Sequence, residues 1–410
     1  MSKSACRFCG DALGTVFCDL GSTPLANAFL TAEQLGLPEP CYPLCAYVCD
    51  RCLLVQLEQF ETPERIFGDY VYFSSYSETW LEHARRYTAA MIVRFGLSPA
   101  SRVVELASND GYLLQYFRRA GIPVLGVEPA SNVAAVAMSR GVPTITRFFG
   151  LSLARELVAQ GWGADLLVAN NVLAHVPDVN DFVAGLKLIL KPRGVATIEV
   201  PHLLRLIEQC QFDTIYHEHF SYFSFMTIER ILTRHGLRVF DVEHFPTHGG
   251  SLRVYAGHPE SEMPASEAPA LLRKAEAAAG LHELAAYRRF TSRTRDARHA
   301  LTELLFALKR SGKSIAAYGA AAKGNTLLNY CGIRGDVIDF VVDRNPHKQG
   351  RFLPGSHLPV RDTDAIRERK PDYLLILPWN IAGEITRQMA YIREWGGKFI
   401  VPVPKATVLP

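Results

Sequence analysis

Tyr216-His-Glu-His219, with Asn171-Val-Leu-Ala-His175 upstream, gathers a phenol, a carboxylate and imidazoles. An unperturbed imidazole has a pKa of about 6.5, so a neutral acceptor is present near pH 7. A phenol or a second imidazole can donate to an oxygen that gains charge as a proton leaves. The set suits removal of an acidic C–H beside a carbonyl, with the charge spread as an enolate. His219 is the expected base and Tyr216 the donor to the developing oxyanion. Glu218 would bind a hydroxyl or orient a histidine, and His175 would add a donor or relay the proton. Adjacent side chains on an extended strand point oppositely, so Glu218 and His219 converge only if the loop is irregular. The plainer alternative is a packed aromatic loop with Phe212, Phe220, Tyr222 and Phe223.

These residues need a crevice beside them. Arg102-Val-Val-Glu-Leu-Ala107 reads as a buried strand and runs into Ala107-Ser-Asn-Asp-Gly111, a small-residue turn before a helix starting near Tyr112. Small side chains let a ligand approach the backbone, and a helix start offers unpaired N–H groups. The next strand ends at Glu128, where a carboxylate can accept both hydroxyls of a ribose. The full phosphate-binding glycine fingerprint is missing, which favours S-adenosylmethionine over a dinucleotide. Asn170 and Asn171 close the strand Asp165–Ala169 on the same side of the predicted sheet.

A second strand–turn–helix, Ser314–Gly319 followed by Ala-Ala-Ala-Lys-Gly-Asn-Thr326, offers small residues, a cation and a hydroxyl, pieces suited to a diphosphate although not a P-loop. Lys323 would meet phosphate as a point charge, with Asn325 and Thr326 adding hydrogen bonds. Asp343 stands where a ribose-binding acid stands in dinucleotide folds, or else prepares the Asn345-Pro346 turn. Trp379 and Asn380 follow another strand and would contact nucleotide or sugar, or form an aromatic seam. His248, in Thr247-His-Gly-Gly250, would help close the sugar site or simply decorate a turn.

The elements that position these groups follow from pattern. Strand runs alternating with helical segments over residues 66–260 predict a doubly wound α/β sheet, closed by an antiparallel pair at 240–245 and 251–256. Residues 261–312, rich in Ala, Glu, Arg and Leu, predict a helical connection. Residues 313–410 predict a second α/β unit, with strands at Val337–Asp343, Tyr373–Leu377 and Lys398–Pro402. Residues 1–65 hold most of the nine cysteines. Cys6-x-x-Cys9 and Cys49-x-x-Cys52 have zinc-knuckle spacing, and four thiolates would close a structural zinc site. Cys18, Cys41 and Cys45 are spare, although Cys41-x-x-x-Cys45 competes with the second knuckle. A module this short draws part of its folding free energy from the metal.

The 44 basic and 41 acidic residues leave a formal charge of +3, with 48% hydrophobic residues, which suits a packed soluble chain. No basic patch points to nucleic acid, no apolar run spans a membrane and no signal segment opens the chain, so a cytoplasmic location is expected.

Taken in order, Cys6-x-x-Cys9, Cys49-x-x-Cys52, Glu105-x-x-x-Asn109-Asp-Gly111, His175, Tyr216-x-Glu218-His219, His248-Gly-Gly250 and Gly319-Ala-x-x-Lys323 resemble the sugar C-methyltransferases. That family acts on nucleotide-linked deoxy-4-keto sugars and includes the enzyme that builds the C-3 methyl branch of D-tetronitrose. The resemblance covers essentially all 410 residues. It implies an N-terminal zinc-binding module, a central class I methyltransferase-like Rossmann domain and a C-terminal Rossmann-like domain for nucleotide sugar. It also implies cofactor contacts from Glu105, Asn109 and Asp110, and it recruits Tyr72 as a phenolic contact over the transfer centre. The implied reaction is methylation at C-3 of a 4-keto-2,6-dideoxy sugar, attached to dTDP, by a monomer or weak homodimer. An O- or N-methyltransferase and a non-catalytic zinc-bearing scaffold are the alternatives. The chain departs from the pattern at Ala107 and Ser108, where glycine and often cysteine stand, and at His217, where a close relative has an acid.

Overall fold

In Tyr42-Pro-Leu-Cys-Ala-Tyr-Val48 alternate residues Leu44, Ala46 and Val48 are fully buried, the period-2 pattern of a strand with one face in a core. In the computed structural model, which describes residues 4–68 and 73–410, this strand pairs antiparallel with Thr15–Thr23 on one side and Val55–Leu57 on the other. The fourth strand of the sheet is not local. Ser221–Tyr222 pairs antiparallel with Val55 and Gln56. The cysteine-rich segment therefore takes one of its strands from the middle of the chain, two residues beyond His219.

At the end of this sheet the Sγ atoms of Cys6 and Cys52 are 3.5 Å apart, as are those of Cys9 and Cys49. All four thiols lie within 4.8 Å of one another. Four thiolates about 2.3 Å from a tetrahedral ion stand about 3.8 Å apart, so the cluster fits zinc. Gln56 Nε2 donates to Cys6 Sγ at 3.2 Å. Cys18, Cys41 and Cys45 lie outside the group, so the Cys41–Cys45 spacing does not compete.

The central sheet has seven strands in the order Arg238–Phe245, Ser251–Gly257, Leu190–Pro201, Ala164–Asn170, Val103–Leu106, Val124–Val127, Thr144–Ile145. The last five are parallel; Ser251–Gly257 runs antiparallel to Leu190–Pro201 and to Arg238–Phe245. Chain order reverses between Val103–Leu106 and Ala164–Asn170. That switch point opens a crevice at the carboxyl ends of these two strands, where open α/β sheets bind ligands.

The C-terminal sheet runs Val360–Arg361, Val341–Val342, Ile315–Tyr318, Tyr373–Ile376, Lys398–Val401, Thr407–Leu409, with only the last strand antiparallel. The apolar run Val337–Asp343, expected as one strand, pairs only at Val341 and Val342. Its first half turns instead: Val337 and Ile338 both donate their N–H to the Arg334 carbonyl. Burial alone does not separate a strand from a buried turn.

The helices of residues 261–312 do more than connect. Phe290 stacks on Phe17 of the N-terminal sheet at 4.6 Å and 2°. Tyr287, Phe290, Leu301 and Leu305 share one buried core with Leu44, Leu57 and Tyr222, and with Ile315 and Leu328 of the C-terminal unit. No helix among the described residues is long and apolar enough to cross a membrane.

Because the cysteine cluster anchors the sheet that receives Ser221–Tyr222, Cys49→Ser is expected to reduce bound zinc from one per chain to near none. It should also lower the Tm by roughly 5 °C or more. Metal analysis and a thermal melt check this; full zinc content with an unchanged Tm would contradict it.

Candidate active site

The turn after Leu106 is shaped by three residues with left-handed backbone: Ala107 (φ 52°), Asn109 (φ 49°) and Gly111 (φ 76°). Gly111 needs its missing side chain, since a Cβ there would lie 3.0 Å from Val142. Ala107 carries a methyl in a conformation that favours glycine, on the crevice wall. Ser108 is fully buried and its hydroxyl packs toward Gly126, away from the crevice.

Glu128 holds the turn from the next strand. Its carboxylate accepts from the N–H groups of Asn109 and Ala130, both at 2.9 Å, and still lines the crevice. Burial pushes its pKa up to about 6, opposed by those two amides. Glu105 lies behind the turn, buried, with neither oxygen hydrogen-bonded among the described residues, and burial keeps its carboxyl well above the ordinary range. Asp110 is fully buried and pairs with Arg140 at 3.0 Å and with the Ser75 hydroxyl. Asn109 Oδ1 accepts from Ser74 N–H at 2.8 Å. Asn109 and Asp110 thus grip the segment just after residues 69–72; Tyr72 itself lies outside the described residues. Opposite the turn, the side-chain amide atoms of Asn170 and Asn171 are shielded from solvent and have no hydrogen-bond partner among the described residues at the crevice wall. Small residues, a carboxylate and unmatched amides fit an S-adenosylmethionine molecule, whose ribose and amino-acid ends need such groups.

Tyr216 to His219 is a turn, not a strand. His219 N–H donates to the Tyr216 carbonyl at 2.8 Å, and Tyr216, Glu218 and His219 all face one cavity. His217 goes the other way: its Nε2 donates to the Pro43 carbonyl at 3.1 Å, and its ring meets Tyr42 and Phe60 edge-on. The His–acid difference at this position therefore adds no charge to the cavity wall. His219 Nδ1 lies 3.0 Å from the Thr214 carbonyl, and His175 Nδ1 lies 2.8 Å from the Glu218 carbonyl. A carbonyl only accepts, so each Nδ1 carries the proton and each Nε2 keeps its lone pair. The two rings are 4.8 Å apart, and Tyr216 lies 4.0 Å from His219. Burial lowers His219 well below 6.5, helped by His175, and brings His175 down to about 4.

The cavity, about 530 Å³, continues from the cofactor turn past His175 and His219 to Ala321, Ala322 and Lys323 in the C-terminal unit. Ala321 N-caps the helix Ala322–Cys331 without a side-chain bond, so first-turn N–H groups remain for a ligand. Lys323 is half-buried, donates to Asn380 Oδ1 at 2.7 Å and lies 4.7 Å over Trp379, whose Nε1 donates to Asp213 at 2.6 Å. Burial lowers Lys323, with Asp213 opposing, and raises Asp213 to about 6. His248 also lines the cavity, 5.1 Å from Trp80, and burial lowers it to about 4. Its left-handed backbone (φ 55°) is followed by Gly250, where a Cβ would meet Arg205 at 2.7 Å.

Other expected C-terminal contacts are engaged internally. Asn325 donates to the Ala26 carbonyl at 2.5 Å and Thr326 to the Ile215 carbonyl at 3.2 Å, both away from the cavity. Asn325, two residues after Lys323, falls on the opposite helix face, whereas Thr326 lies on the Lys323 side and is engaged there by the Ile215 carbonyl. Asp343 accepts from Ala320 and Asn345 N–H groups at 2.7 and 2.8 Å, shaping the turn before Pro346. Trp379 and Asn380 form a seam with Asp213 and Lys323.

Two cavity residues had no sequence signal strong enough to single them out. Lys348 is buried, donates to the Ala320 carbonyl at 2.7 Å and feels Asp343 and Glu218. Asn27, in the N-terminal module, donates to Glu218 Oε1 at 2.6 Å. The available hint for Asn27 was an amide flanked by apolar Leu25, Ala26, Ala28, Phe29 and Leu30.

Comparison with known proteins agrees with this division of labour. Residues 6–67 match a family model described as "Putative zinc binding domain", residues 80–242 a methyltransferase domain, and residues 246–404 a C-methyltransferase C-terminal domain. The chain is 38% identical over 406 residues to C-methyltransferase NovU of Streptomyces niveus, covering 98% of this chain and 96% of that one. A 98-residue stretch is 29% identical to a ubiquinone biosynthesis O-methyltransferase of a Bradyrhizobium strain, 24% of this chain and 38% of the relative. Magnesium protoporphyrin IX methyltransferase of Synechocystis PCC 6803, solved with S-adenosylmethionine bound, aligns at a TM-score of 0.35 and 17% identity, covering 48% of this chain and 88% of that one. Likeness along nearly the whole length, and not in the methyltransferase stretch alone, makes the chain a member of the C-methyltransferase family of NovU and an S-adenosylmethionine-dependent methyltransferase.

Proposed function

We propose that the protein methylates C-3 of a nucleotide-linked 4-keto-2,6-dideoxy sugar, carried on dTDP, through an enolate formed by His219. The reading assigns residues 1–65 to a zinc module, 66–260 to cofactor binding and 313–410 to a Rossmann-like nucleotide-sugar unit, with 261–312 as the helical connection. The observation that supports it most is a single cavity holding the cofactor turn, the His219 ring with Nδ1 committed to Thr214, and the helix start beside Lys323.

S-adenosylmethionine, held by the Ala107–Gly111 turn, Glu128, Asn170 and Asn171, supplies an electrophilic methyl when bound. His219 Nε2 takes the proton from C-3, and the C–H electron pair moves into the ring as the C-4 oxygen gains charge. An imidazole whose pKa burial has lowered is a weak base, so the oxyanion must be stabilised as it forms. Tyr216 and the Lys323 ammonium are placed in the cavity to do this, and one such contact is worth about 3 kcal/mol. Glu218 takes a sugar hydroxyl. The N–H groups at Ala322 and Lys323, with Lys348, receive the diphosphate and hold the ring over the transfer centre.

Incubation with a panel of keto-sugar nucleotides and methyl-labelled S-adenosylmethionine is expected to give a C–CH3 signal by NMR, and substrate deuterated at C-3 should lose its label. An O–CH3 or N–CH3 signal would overturn the proposal. His219→Ala should lower kcat by about a hundredfold or more while changing S-adenosylmethionine affinity less than twofold. Wild-type turnover in that variant would remove His219 as base. Because burial disfavours the imidazolium, His219 stays neutral as pH falls through 6.5, and protonation removes the base only below that. With both substrates saturating, the acid limb of kcat should have its midpoint below pH 6.5; a midpoint at or above 6.5 contradicts the assignment.

A further inference from the structure

One loop of the N-terminal module brings an amide side chain to the wall of the reaction cavity. Asn27 stands on the cavity wall in the connection between Thr15–Thr23 and Tyr42–Val48. Its neighbours are tied to the C-terminal unit on both sides. The Ala26 carbonyl accepts from Asn325, and Leu30 exchanges two backbone bonds with Phe352, at 3.0 and 2.9 Å. Phe29 is buried, with the Lys348 ammonium 5.4 Å over its ring. Further along, Glu39 accepts from the Gly355 N–H at 3.0 Å and pairs with His357 at 3.0 Å. A loop held at three points presents its one cavity-facing amide in a fixed place.

That amide donates to Glu218 Oε1 at 2.6 Å, and Glu218 is 3% exposed. Glu218 sits between Tyr216 and His219, and its carbonyl takes the His175 Nδ1 proton. A carboxylate at a turn can swing about its side-chain torsions unless a donor fixes it. Among the described residues, charged groups that face the same cavity include Lys348 from the loop after Val341–Val342, Glu64 and, across the cavity, Lys323; Asp343 lies behind Lys348.

We infer that Asn27 is a positioning residue for the reaction: it aims the Glu218 carboxylate at the substrate, so that the zinc-bearing module completes the active site. This rests on the proposed role of Glu218 as the group that takes a sugar hydroxyl. Without the amide donor, Glu218 loses one of the contacts that set the direction of its carboxylate, and the sugar ring is oriented less well over His219.

The test uses the full-length zinc-loaded enzyme with the keto-sugar nucleotide that the wild type methylates best. Asn27→Ala is expected to lower kcat/KM for the sugar by ten- to a hundredfold, with S-adenosylmethionine affinity and zinc content within twofold of wild type. Asn27→Asp has the same shape but sets a second carboxylate against Glu218, so the bond re-forms only when the pair shares a proton. Its activity should be lowest at pH 8 and recover at least fivefold, relative to wild type, by pH 6.5. Burial keeps His175 and His219 neutral over that interval, so their charge does not imitate the recovery. Wild-type kcat/KM in Asn27→Ala overturns the inference, as does an Asn27→Asp deficit that is the same at both pH values. A wild-type enzyme inert toward every keto sugar overturns the reading of function and this inference with it, whereas an active wild type with an indifferent Asn27 overturns only the latter.

Discussion

The antiparallel pairing of Ser221–Tyr222 with Val55 and Gln56 is the constraint on which the site depends. It begins two residues after His219, and the Phe220 N–H one residue earlier bonds the Ala174 carbonyl beside His175. The turn carrying Tyr216, Glu218 and His219 is therefore pinned between the cysteine-rich sheet and the end of a central strand. Backbone hydrogen bonds on both sides leave the turn little freedom, the rigidity that the proposed proton transfer requires. The cysteine cluster, the Phe17–Phe290 stack and the shared core stabilise the same sheet from its other faces.

Burial is the second theme, and it acts on both signs of charge. It lowers the histidines and lysines of the cavity and raises Glu105, Glu128 and Asp213. Neutral imidazoles and carboxyls of raised pKa follow from one cause, removal from water. A cavity of weakly solvated groups strengthens each electrostatic contact made inside it, which would compensate for the lowered base strength of His219 in its proposed role.

The parallel strands ending at Leu106, Val127 and Asn170 were legible because buried parallel strands read as short apolar runs bounded by turns. The Ala107–Gly111 turn and Glu128 followed from their places at successive strand ends. The cysteine pairs were legible because ligand spacing is local. What the sequence hid was non-local. Nothing in Ser221-Tyr222 announces a partner at Val55, and an apolar run at Val337 looks the same whether it extends or turns. Asn325 and Thr326 have suitable chemistry for phosphate, but tertiary packing engages them with the Ala26 and Ile215 carbonyls. Lys348 and Asn27 carry no motif, and only packing brings them to the cavity.

The far-off partner strand also bears on how the chain is made. Val55–Leu57 leaves the ribosome about 160 residues before Ser221–Tyr222. At 5–20 residues per second that is roughly ten to thirty seconds. During this time the nascent amino-terminal sheet shows an unpaired edge, and its apolar face still awaits Phe290 and Leu305. An open edge of this kind invites pairing with another nascent chain. Early capture of a metal ion by the four thiols, which can hold one, would keep the emerging hairpin in register until its distant partner strand arrives.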